Sequence, residues 1–148
     1  WIVDIPDVEP RELLGVDSLG AYADRVATGD RVVLKTGWSD REGRAEYRDE
    51  LPRVSAELAR WFVDRGVVFV GVEPPSVADV HDLAEVTEVH RTLLAAEIVI
   101  VEGLCNLDAL TSDRVYIIAL PLKIDSGDGA PCRVVALDEA PSPTTGLP

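Results

Sequence analysis

Val67-Val68-Phe69-Val70-Gly71-Val72 and Ile98-Val99-Ile100-Val101 are two unbroken apolar runs with a helix-spaced pattern between them. Neither run alternates with polar residues as a strand with one wet face does. Each therefore predicts a short strand covered on both sides. Glu73-Pro74-Pro75-Ser76 ends the first run, because proline has no amide to donate to a ladder. Asp82, followed three residues later by Glu85, has the spacing of a capping box. Val86, Val89, Leu93 and Leu94 then mark an apolar helix face. Strand, helix and strand in this order predict a parallel pair with a crossover helix, and so an α/β fold.

Outward from this unit the chain continues in kind. Trp1-Ile2-Val3-Asp4-Ile5 and Arg31-Val32-Val33-Leu34-Lys35-Thr36 read as strands, separated by a proline-punctuated connection and a short helix near Leu19 to Val26. Ser55 is placed to cap a helix carrying Leu58, Trp61 and Phe62, and Gly66 to stop it. The charged residues 39–50 predict a surface loop. Asn106 to Leu110 suits one helical turn. Val115 to Leu120 and Arg133 to Leu137 are further strands on either side of a turn at residues 125–129. Residues 1–138 thus read as the C-terminal major part of a single domain. Residues 139–148, with three prolines and no apolar pattern, predict a flexible tail.

Composition excludes several functions. The 148 residues are 47% hydrophobic, which argues against disorder. A net charge of −13 without a basic stripe argues against nucleic acid as a partner. No apolar run approaches a membrane span. Cys105 and Cys132 form neither a CxxC pair nor zinc-finger spacing and predict reduced thiols in a cytoplasmic protein, with Cys132 a small core residue. The chain has no methionine and opens on a strand, so further residues upstream are expected.

Two side chains are out of place in this apolar pattern. His90 lies within the helix face set by Val86, Val89 and Leu93, and Glu102 ends the strand that follows, twelve residues on. An ordinary reading makes His90 a half-buried imidazole bonded to a carbonyl, and Glu102 a strand-end carboxylate in water or beside an arginine. A buried carboxylate, however, is costly unless it is paired or coordinates a metal. Imidazole and carboxylate together suit zinc or manganese. His81 reads as exposed, Ser76 as turn chemistry, Trp38 as a core plug, and Arg133 as half of an internal ion pair. No Gly-x-Ser-x-Gly elbow, P-loop or GxGxxG stretch occurs.

The ordered stretches Lys35-Thr36-Gly37-Trp38, Val70-Gly71-Val72-Glu73-Pro74-Pro75-Ser76-Val77, His90-Arg91-Thr92-Leu93-Leu94, Val101-Glu102-Gly103-Leu104, Asn106-Leu107-Asp108 and Asp128-Gly129-Ala130-Pro131-Cys132-Arg133 together resemble the cyclase family of metal-dependent hydrolases, which includes kynurenine formamidases and isatin hydrolases. That resemblance implies the swivelling β/β/α type of α/β fold, with a mixed β barrel-like core, flanking helices and a homodimer or homotetramer. It implies Zn2+ or Mn2+ held in part by His90 and Glu102. It also implies hydrolysis of a small-molecule amide, formamide or lactam by hydroxide carried on the metal. The family's His-x-x-x-His-x-Asp stretch, with a catalytic histidine near it, has no counterpart here and is expected upstream of Trp1. Many relatives carry aspartate where Glu73 stands. Two alternatives keep the fold: a non-catalytic member that binds a small molecule or partner, and a metal-dependent cyclase of a biosynthetic pathway.

Overall fold

The computed structural model describes residues 1–138. In chain order the elements are β1 (Ile2–Asp4), β2 (Leu13–Leu14), α1 (Tyr22–Arg25), β3 (Arg31–Lys35), α2 (Ala45–Asp49), β4 (Arg53–Val54), α3 (Ala56–Arg65), β5 (Phe69–Val72), α4 (Leu83–Ala95), β6 (Val99–Val101), β7 (Tyr116–Pro121) and β8 (Cys132–Leu137). Short 3-10 turns stand at Val16–Leu19, Trp38–Arg41 and Leu107–Ala109. Strands β1, β3, β5 and β6 form a four-stranded sheet in that order, parallel throughout. The predicted parallel pair is β5 and β6, in register from Phe69 opposite Val99 to Gly71 opposite Val101. A second parallel pair joins β2 to β4, and β7 pairs antiparallel with β8. The architecture is therefore mixed α/β.

Strand alternation builds two cores, one on each face of the sheet. Val32, Leu34, Val70 and Val72 point to one side and pack with Leu58 and Phe62 of α3 and Val89 and Leu93 of α4. Ile2, Val33, Phe69 and Val101 point to the other side and pack with Leu104 and Leu107, beneath Ile117, Ala119 and Val134 of the β7–β8 pair. Both faces are covered, as the continuous apolar run of β5 predicts, and all four of its residues are buried. Gly71 is needed where the second core is tightest, because a Cβ there would stand 2.8 Å from Leu104 Cδ1 and 3.1 Å from Val33 Cγ2.

Ser55 and Gly66 bound α3 as expected. The Ser55 hydroxyl accepts the Leu58 amide, and Gly66 takes a left-handed φ of 71°. Four expectations need correction. Residues 39–50 are not an irregular loop but carry the end of a 3-10 turn and α2. Their hidden anchor is Trp38, fully buried, whose indole N–H donates to the Tyr47 carbonyl at 2.9 Å. Leu94 is 56% exposed, because the helix buries the Val89–Leu93 edge and turns Leu94 away. Cys132 is exposed on β8, at the rim of the pair and not in its core. Arg133 is exposed and forms no ion pair among the described residues. The predicted tail, 139–148, lies outside the described residues.

Candidate metal centre

Parallel strands carry their ligand-bearing residues beyond their C-terminal ends. That edge here holds Thr36 after β3, Glu73 after β5 and Glu102 after β6. Helix α4 returns from β5 to β6 and brings His90 alongside. Asp82 caps the helix, its Oδ1 accepting the amides of Ala84 at 2.9 Å and Glu85 at 3.1 Å. The capping box is only half formed. Glu85 does not reach back to Asp82. Its Oε1 accepts the Asp79 amide at 2.9 Å, and its Oε2 accepts from Arg53 at 2.8 Å.

His90 and Glu102 meet. The imidazole Nε2 stands 3.3 Å from Glu102 Oε1, and both side chains are about two-thirds buried, at 29% and 31% exposed. His90 Nδ1 stands 2.9 Å from the Val86 carbonyl, one helical turn back. A carbonyl can only accept, so Nδ1 carries the proton and a neutral ring leaves Nε2 as a bare lone pair. That lone pair faces a carboxylate oxygen. Two acceptors in this position repel unless a proton or a cation lies between them. Glu102 supplies the first answer: its carboxylate raises the His90 pKa above the ordinary imidazole value, against the opposing effect of burial.

A metal is the second answer, and the residues fit it. A ring nitrogen and a carboxylate oxygen each roughly 2.1 Å from a tetrahedral ion lie about 3.4 Å apart. The backing of the imidazole by a carbonyl is also the usual arrangement behind a metal-ligating histidine. Glu102 is held too, for its Oε1 accepts the Val77 amide at 2.9 Å. Among the described residues no group of three or more His, Cys, Asp or Glu is arranged to hold an ion. His90 and Glu102 are thus a pair of donors and not a closed site.

An open cleft of ≈ 510 Å³ lies over the pair, lined also by Leu94, Ile100, Asp128 and Cys132. Leu94 and Cys132, misplaced by the sequence reading, are walls of this cleft. The other chemistry-bearing residues lie elsewhere. Glu73 is 2% exposed, and its carboxylate accepts from the Thr36 amide and hydroxyl and from the Ser39 hydroxyl. It locks the Trp38–Glu50 segment onto the sheet edge. His81 is exposed and pairs with Asp49 at 2.9 Å. Ser76 Oγ accepts the Ala78 amide, which is the turn chemistry expected of it. The Val86 carbonyl was legible as the residue four before His90. The Val77 amide was not, since nothing in a sequence marks one backbone N–H as facing a distant carboxylate.

Comparison with known proteins places the chain in a family. The profile of the cyclase family, putative cyclase, matches residues 1–80. The chain belongs to the cyclase family. It is 35% identical over 146 residues to a kynurenine formamidase of Salinibacter ruber, covering 96% of this chain and 63% of that protein. A kynurenine formamidase of Erythrobacter litoralis is 32% identical over 131 residues, with 84% and 58% covered. Among solved structures, isatin hydrolase A from Ralstonia solanacearum superposes with a TM-score of 0.74 at 31% identity, covering 88% of this chain and 55% of that one. A potential metal-dependent hydrolase with cyclase activity superposes with a TM-score of 0.76 at 29% identity, covering 95% and 64%. The chain therefore spans less than two-thirds of the length of these relatives.

Proposed function

We propose that the protein is a metal-dependent hydrolase that opens the C–N bond of a small amide, formamide or lactam, with His90 Nε2 and Glu102 as two of the ligands of a Zn2+ or Mn2+ ion. The observation that carries this reading is His90 Nε2 held 3.3 Å from a Glu102 carboxylate oxygen while Nδ1 is backed by the Val86 carbonyl. The likeness to kynurenine formamidases and isatin hydrolase A supports the choice of bond. The family likeness also supports closure of the sheets into the swivelling β/β/α type and assembly into a homodimer or homotetramer.

A divalent ion bound there would supply a water acidified toward neutral pH and a positive charge for a developing oxyanion. The residues of this chain do the rest of what is assigned to it. Val86 fixes the His90 tautomer, so that Nε2 is always the donor atom offered. The Val77 amide orients Glu102, which acts as a ligand and not as a general base. Leu94 and Ile100 give the cleft apolar walls.

Replacing Glu102 with Gln keeps the shape and removes the charge. Elemental analysis of the purified variant should show a loss of bound zinc or manganese, with the fold unchanged by circular dichroism. Unchanged metal content in E102Q would sink the assignment.

A further inference from the structure

The two candidate ligands sit on different elements, and the distance between them depends on what holds α4 against the loop that follows β5. That loop, residues 73–82, is unusual. Glu73, Ser76, Val77, Ala78 and Asp79 are all buried, whereas loops ordinarily lie in water. Its Val77 amide holds Glu102, and its Val77 carbonyl accepts the Val54 amide of β4 at 2.8 Å.

The side chain next to Val54 completes the frame. Arg53 Nη1 donates to Glu85 Oε2 at 2.8 Å, in the first turn of the helix that carries His90. The same nitrogen lies 3.6 Å from Asp79 Oδ2, in the loop that carries Val77. Its Nη2 donates to the Arg11 carbonyl at 3.2 Å, and the Arg11 side chain in turn reaches Asp79 Oδ2 at 2.7 Å. The Arg53 side chain is only 18% exposed. A surface ion pair contributes little, but a largely buried guanidinium shared by two carboxylates fixes geometry.

We propose that Arg53 is the positioning residue that sets His90 and Glu102 at their mutual distance, one branch acting through Glu85 on α4 and the other through Asp79 and Val77 on the Glu102 carboxylate. The role of the pair as metal ligands rests on the function proposed above. The frame itself does not.

The test uses the full chain with Arg53→Met, and Arg60→Met as control, since Arg60 pairs with Glu88 on the exposed side of the same helix. Amide hydrogen exchange is followed at Val77 and at Val33, whose amide is bonded within the central sheet. Arg53→Met should speed Val77 exchange about ten-fold more than Val33 exchange. Arg60→Met should move neither. Zn2+ affinity, measured by competition with a chromophoric chelator, should fall by about 10- to 100-fold in Arg53→Met. If Val77 and Val33 change together, or neither changes, Arg53 is merely structural and the proposal fails. If the parent chain, with two donors alone, binds no Zn2+, the exchange result by itself decides the frame. Should Arg53→Met not fold, Arg53→Lys serves in its place, because an ammonium lacks the planar fork by which Arg53 reaches Glu85 through one nitrogen and the Arg11 carbonyl through the other, and the same Val77 effect is expected.

Discussion

The two sides of the four-stranded sheet are built from the same kind of residue and finished differently. On the helix side, Phe62 and Leu58 of α3 and Leu93 and Val89 of α4 are fully buried where the two packed helices meet the sheet. On the opposite side, the β7–β8 pair covers the sheet with Ile117, Ala119 and Val134, yet turns a second apolar row outward. Tyr116, Leu120, Val135 and Leu137 of that row are 42–58% exposed. An apolar sequence stabilises only what another layer covers, and one face of the pair has no cover among the described residues. The candidate ligands stand at the junction of these regions: His90 on the helix side, Glu102 at the strand end, and Cys132 of β8 across the cleft.

This contrast breaks most readily at Phe62. Phe62→Ala should cost about 3–5 kcal/mol in denaturant unfolding, since a fully buried ring leaves a cavity between α3 and the sheet. A loss below ~1 kcal/mol would show that the helix side is not the tightly packed one. Next comes Gly71→Ala, which pushes a methyl group toward Leu104 and Val33 on the opposite face. The expected loss is about 1–3 kcal/mol, and no loss would mean that Leu104 moves aside freely.

A smaller effect concerns acid. The amide of His81, then the guanidinium groups of Arg11 and Arg53, hold the Asp79 carboxyl below the usual carboxylate range. A depressed folded pKa adds stability above the unfolded value, about 3.9, and that stability is lost as pH falls through the folded value. Urea midpoints of Asp79→Asn and the parent should therefore differ most above the unfolded value and converge as the pH falls below it. A difference that stays constant with pH would mean that the Asp79 charge does not stabilise the fold. Smallest of all is Leu120→Ala on the open row, expected within about 0.5 kcal/mol of the parent. A cost comparable to that of Phe62→Ala would erase the contrast and show that row to be packed in solution.

Much of the fold was legible because its signals are local. Ser55, Gly66 and Asp82 act on their own neighbours, and the apolar runs of β5 and β6 need cover whatever provides it. Glu85 shows the limit. Its spacing from Asp82 predicts a capping box, but Arg53 and the Asp79 amide offer it a charged partner and a buried donor instead. The charged stretch 39–50 misled for a related reason, since the single buried Trp38 fixes it and composition averages that residue away.

The amino-acid sequence by itself determined the four strands of the main sheet, helices α3 and α4, the parallel β5–α4–β6 unit and the identity of the two unusual side chains. It did so because periodicity, caps and prolines act over a few residues. Only the tertiary structure decided that His90 Nε2 faces Glu102, that the Val77 amide holds that carboxylate, and that Arg53 ties both supports together. Those contacts join residues 12 to 32 positions apart. Which distant groups meet is set by how the layers pack and which buried charges must find partners, and no local pattern encodes that.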